Sequence, residues 1–154
     1  MPGPLVNALI AHLDSSFEGP NGDYPAILEA IAGLTAQQAV WRPSPESNSI
    51  WQIVVHLASG KQWQLDMLQQ GHAETHPWTQ PPEDEESWRA LSVRLKEAHL
   101  RLKSAIGELR DEELLEFPVP ELRRSLLELI LSSGSAHEAH HGGVISYLRG
   151  LQGL

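Results

Sequence analysis

From Trp88 the chain repeats an apolar residue at alternating steps of three and four, through Leu91, Leu95, Ala98, Leu102, Ala105 and Leu109. That spacing is one buried face of a helix, and the acidic run of residues 83–86 ahead of it suits the positive end of the helix dipole. A second stripe runs Leu127, Ile130, Gly134, His137, His141, Val144, Leu148 and Leu151, with two histidines where the pattern asks for leucine. Pro118 and Pro120 precede it and predict a helix start near Pro120 or Glu121. Gly134, Gly142 and Gly143 each weaken a helix interior by about 1 kcal/mol relative to alanine, so a close approach or a bend is expected there. Residues 47–70 give a third helix, with Ser47, Asn48 and Ser49 as candidate caps and Ile53, His56, Gly60, Trp63 and Met67 on one face. Again a histidine interrupts an inward stripe.

The N-terminal part predicts a broken first helix. One segment runs over 5–17, the run Gly19-Pro20-Asn21-Gly22 interrupts it, and a second covers about 23–33 with Ile27, Leu28, Ile31 and Leu34. Residues 71–82 carry clustered prolines that cannot continue a helix, so a long crossover loop is expected after the second helix. Alternating runs of strand type and repeats of 20–50 residues are missing. The expected fold is all-α, a four-helix bundle, and 154 residues make one domain over 1–154.

Charge narrows the partners. Eleven scattered Lys and Arg stand against twenty Asp and Glu, a net charge of −9, so no phosphate-tracking patch forms and nucleic acid is not an expected partner. No stretch approaches the ~18 apolar residues of a membrane span, and the first fourteen residues do not read as a signal peptide. A cytoplasmic protein is expected. The absence of cysteine removes disulfides, thiolate ligands and a cysteine nucleophile, so any thiol chemistry must use a sulfur from elsewhere.

Eight histidines stand out. His137 and His141, four residues apart, share a helix face with Cβ atoms about 6 Å apart, a separation one metal ion bridges. Inward imidazoles are costly unless both nitrogens find partners, and one ion would satisfy His56, His137 and His141 together. His140 borders the same face, but the register through His141 continues into Val144, Leu148 and Leu151. His12, His72, His76 and His99 fit no shared face and are expected at the surface or hydrogen-bonded. Residues 137–141 also spell H-E-x-x-H, the zincin motif, yet none of the thirteen residues after His141 is His, Asp, Glu or Cys, so a third zincin ligand is missing. Glu138 aims about 100° from His137 and is expected as a surface carboxylate or a group behind a ligand. Trp63, Trp51, His76 and Trp78 are expected as walls of the site at the bundle's open end.

The run Trp41-Arg42-Pro43, then Asn48-Ser49-Ile50-Trp51-Gln52-Ile53-Val54-Val55-His56, resembles the DinB-like, YfiT-type family, as does His137-Glu138-Ala139-His140-His141-Gly142-Gly143-Val144-Ile145 in the final helix. Val144 stands where that family has glutamine. The resemblance implies a four-helix bundle with three histidine ligands to one divalent metal, zinc or nickel first and iron or manganese also admitted, since imidazole suits all of them. It also implies a homodimer and a small-molecule substrate. Characterised relatives are thiol-dependent transferases and isomerases acting with low-molecular-weight thiols such as bacillithiol or mycothiol. The leading expectation is a metal-dependent thiol S-transferase or hydrolase. The alternative is a non-catalytic metal- or ligand-binding bundle, and a blander one is a dimeric scaffold with hydrogen-bonded core histidines and no metal.

Overall fold

A computed structural model describes residues 1–73, 83–118 and 123–154. Four long helices are seen: α1 (Pro4–Phe17), α4 (Ile50–Gln70), α5 (Glu85–Gly107) and α7 (Ser135–Gln152). Shorter pieces join them, α2 (Ile27–Ile31), α3 (Ala36–Val40), a 3-10 turn (Glu113–Leu115) and α6 (Leu126–Ser133). No strand occurs among the described residues.

Side chains start these helices where the backbone has no partner of its own. The amides of Leu5 and Val6 donate to Asp111 at 3.1 and 2.9 Å. Ser49 and Gln52 form a reciprocal capping box that starts α4, and Gly71 ends it at φ 72°, where only glycine sits without strain. Asp84 caps α5 through the Ser87 amide at 2.8 Å.

α1 and α4 each pack on both α5 and α7, so the long helices close a ring in the order α1, α5, α4, α7. The chain neighbours α1 and α4 therefore stand diagonally, and residues 18–49 make the long step between them. The expected break in the first helix is present, although its second part begins at Ile27 rather than 23, because Asn21 folds the Asp23 and Tyr24 amides into a turn. Most of the expected crossover, residues 74–82, lies outside the described residues, and the helices it joins, α4 and α5, are packed neighbours.

The C-terminal stripe is two helices rather than one. Pro120 and Glu121 lie outside the described residues, residues 123–125 are not helical, and α6 starts at Leu126 under a Ser125–Glu128 capping box. Gly134 then separates α6 from α7. A Cβ there would lie 2.5 Å from the Ile130 carbonyl oxygen, so the break needs glycine.

Two apolar clusters fill the ring. One gathers Phe17, Ile27, Trp51, Val54, Leu57, Ala58, Trp88, Leu91, Leu95, Ile145 and Leu148, and the other Val6, Leu9, Leu13, Leu102, Ile106, Leu114 and Ile130. Each long helix also buries a polar residue, Ser16, Lys61, His99 and Glu138, and on α1 and α5 it lies between residues of the two clusters.

Candidate metal centre

His56 lies in the second turn of α4, whose start the Ser49–Gln52 box determines. His137 and His141 lie on consecutive turns of α7. One residue past His141, a Cβ on Gly142 would sit 2.2 Å from the Pro25 carbonyl oxygen, so α7 runs directly against the chain before α2. The expected close approach is present at Gly134 and Gly142, whereas a Cβ on Gly143 would meet no described atom within 4 Å.

The structure brings the three predicted histidines together. The Nε2 atom of His137 lies 2.9 Å from Nε2 of His56 and 2.9 Å from Nε2 of His141. The rings meet edge to face, with interplanar angles between 75° and 84°. All three residues are half-buried. His141 Nδ1 is buried without a hydrogen-bond partner among the described residues, whereas the His137 ring also bonds to the Ser133 backbone.

Hydrogen bonding alone does not account for this cluster. One ring nitrogen carries either one proton or one lone pair, so Nε2 of His137 makes one well-directed hydrogen bond where two neighbours stand at 2.9 Å. A cation at the shared point would meet three lone pairs at once, and nitrogens bound to one ion at about 2.0–2.1 Å stand roughly 3 Å apart. The residues present therefore fit a divalent metal. Burial pulls His56 and His137 below the usual imidazole range, and it brings His141 down to about 4, with its neighbours' charges adding to the effect. The rings are thus neutral at pH 7, the form that ligates.

A cleft of about 330 Å³ opens on the centre, lined by Asn48, Gln52, Ile53, His56 and His141. It sits at the low end of small-molecule sites. Two of the expected walls are elsewhere. Trp51 is fully buried and packs on Trp88 at 5.2 Å, while Trp63 lines a narrow crevice with Met67, Leu126 and Ile130. The other two, His76 and Trp78, lie outside the described residues. His140 is exposed and rests edge-on against His141, outside the trio, as the stripe register predicts.

The largest correction concerns Glu138. It is only 2% exposed, and its carboxylate pairs with the Lys61 ammonium and accepts from Ser16 Oγ. Lys61, itself buried, donates to Nδ1 of His99 at 3.0 Å and lies 4.5 Å over the Phe17 ring. An ammonium only donates, so His99 accepts at Nδ1, carries its proton on Nε2, and donates that to Asp14 at 2.9 Å. Burial, then the nearby Lys61 charge, pushes His99 down to about 4. Asp14, His99 and Glu18 form a second cluster of ligand-type atoms, but Lys103 sits 2.7 Å from Asp14 and Lys61 occupies His99. Ammonium groups already hold the place a metal would take.

The α4 and α7 stripes that face the core differ from those through the histidines. On α7 it is Glu138, Gly142, Ile145 and Leu148, and on α4 it is Val54, Leu57, Lys61 and Leu65. Both follow three- and four-residue steps as regular as the predicted ones. That regularity was the available signal for Lys61 and Glu138.

A family model described as the DinB superfamily matches residues 23–145, which include all three histidines. No curated protein and no solved structure matches the chain.

Proposed function

Because the chain belongs to the DinB superfamily, we propose that it is a metal-dependent enzyme in which His56, His137 and His141 hold one divalent ion. The observation that carries this reading is the meeting of three Nε2 atoms at one point, two of the contacts at 2.9 Å. Zinc or nickel suits this donor set best, with iron and manganese next. Bound there, such an ion lowers the pKa of a coordinated thiol or water, so that a nucleophile exists at neutral pH.

The chain's own residues do the rest. With three protein ligands, a bound ion would have room for a water or substrate, as in catalytic sites and unlike closed structural sites. The carboxamides of Asn48 and Gln52 line that cleft, and since Gln52 Oε1 already accepts from the Ser49 amide, Gln52 offers a substrate mainly N–H donors. The substrate is a small molecule, either a low-molecular-weight thiol for S-transfer or a hydrolysable compound. Nucleic acid and membranes are not partners in this reading, and the protein works as a cytoplasmic homodimer. One observation favours a second reading, metal or ligand binding without catalysis: apart from the histidines, the described residues that line the cleft carry no titratable group.

Mass spectrometry of the purified protein after reconstitution tests the metal. Roughly one equivalent in the wild type and loss in His137→Ala are expected for a three-ligand site; a metal-free wild type under zinc, nickel, iron and manganese overturns the reading. Adding 2-mercaptoethanol to cobalt-loaded protein tests whether the site is open to a thiol, as S-transfer requires. A sulfur-to-metal charge-transfer band marks an open, thiol-accepting site, and an unchanged spectrum marks a closed one.

A further inference from the structure

Ser16, Lys61, His99 and Glu138 come one from each long helix and form a hydrogen-bonded chain whose two ends both lie on α1, at Ser16 and at Asp14. Ser16 of α1 bonds Glu138 of α7, Glu138 pairs with Lys61 of α4, Lys61 bonds His99 of α5, and His99 returns to Asp14 of α1. All four members of the layer are at most 3% exposed. Both carboxylate oxygens of Glu138 are satisfied, and Lys61 has two bonds and an aromatic face. Taking an ammonium and a carboxylate out of water is unfavourable, and apolar residues in their place often stabilise a protein. The best-attested use of such a layer is to specify register.

Register is what the candidate metal centre needs. Glu138 directly follows His137, and Lys61 lies five residues after His56, so the ion pair ties together the two helices that carry the ligands. Each residue along a helix turns the face by about 100°. A one-residue slip of α7 would carry His137 into the place of Glu138 and dissolve the trio. Apolar packing resists that slip weakly, because the buried residues of α7 before Ile145 are Ser135, Glu138 and Gly142, none with a large apolar side chain.

We propose that Lys61 and Glu138, braced by Ser16 and His99, are positioning residues: the polar layer fixes the rotation of α7 on α4 so that His137 and His141 face His56. The inference rests on the metal-binding reading only for its purpose, since the rotation of α7 is set with or without an ion. It concerns placement and assigns the layer no part in the chemistry.

The test separates placement from stability. The double variant Lys61→Met/Glu138→Leu replaces the pair by apolar side chains, and its melting point should equal or exceed that of wild type. Its cobalt(II) affinity should fall tenfold or more, in the range seen when groups that orient metal ligands are lost, roughly 10–100-fold, with an altered d–d spectrum. Ser16→Ala, a smaller change that keeps the fold, should lower cobalt affinity about threefold, as loss of one hydrogen bond does. Wild-type affinity and spectrum in both variants would overturn the proposal. Nitrogen-15 shifts of the imidazole rings in metal-free protein give an independent readout. His137 and His141 should move in the double variant while His12 and His72 stay in place; unmoved trio resonances count against the layer. Should wild type bind no cobalt, the metal reading fails by itself, and these shifts still decide whether the layer sets the rotation of α7.

Discussion

The protein holds two buried or half-buried polar clusters on the same pair of helices, and they are built on opposite principles. The Lys61–Glu138 layer is closed: donors meet acceptors, opposite charges meet, and every atom of the pair finds a partner within the chain. The histidine trio is open: three like nitrogens face one another, and Nδ1 of His141 has no hydrogen-bond partner among the described residues. Buried polar groups left unsatisfied cost free energy. A fold that balances one cluster fully and leaves the next one unbalanced is arranged to take something in at the second.

Breaking the closed cluster should have the largest effect. Glu138→Leu leaves a buried ammonium without its counter-charge, and the expected loss is about 3–5 kcal/mol of stability, read by urea denaturation. A loss under about 1 kcal/mol, the worth of a surface pair, would show that the layer is not balanced as described.

The pH dependence of the same cluster comes next. His99 lies at about 4 in the folded protein against an ordinary value of 6.5, so the unfolded chain takes up a proton first as the pH falls. Its contribution is complete above about 6.5 and is lost progressively toward about 4, on the order of 3 kcal/mol in all. Unfolding measured with chelator at pH 7.5, 6 and 5 should show this decline on top of the one from the metal-free trio, whose His141 also lies at about 4, and His99→Phe should remove only the His99 share.

The open cluster responds to what is added. Zinc or nickel at about a hundred times its dissociation constant should raise stability by about 2.7 kcal/mol, and His137→Ala should abolish that gain in a thermal-shift measurement. An equal shift in the variant would place the ion elsewhere. The smallest effect belongs to His140→Ala, at the edge of the trio and exposed. It should change stability by less than about 0.5 kcal/mol and leave metal stoichiometry unaltered.

Much of this was legible along the chain. The helix over Trp88 to Leu109 was readable because apolar spacing is a local property, and the structure ends it only two residues earlier, at Gly107. The i, i+4 pair His137 and His141 was readable for the same reason. The break at Gly134 was read as a weak point but not as a helix end, since the distance from its would-be Cβ to the Ile130 carbonyl depends on the backbone path. Spacing alone puts Glu138 off the core, because it takes the face that the histidines mark as the inward one. In fact they flank it, half-buried, while a carboxylate occupies the core.

Local spacing and composition by themselves determined the helical class, the bounds of α1, α4 and α5 to within a few residues, and the face shared by two histidines. A helix's periodicity is written in its own residues, and no distant partner is needed to read it. Which of two equally regular stripes on α4 and α7 turns inward was decided only when four helices closed into a ring. A buried lysine or glutamate is tolerated solely by partners far off in the chain, here 77 residues apart for Lys61 and Glu138, and one helix's pattern holds no record of them.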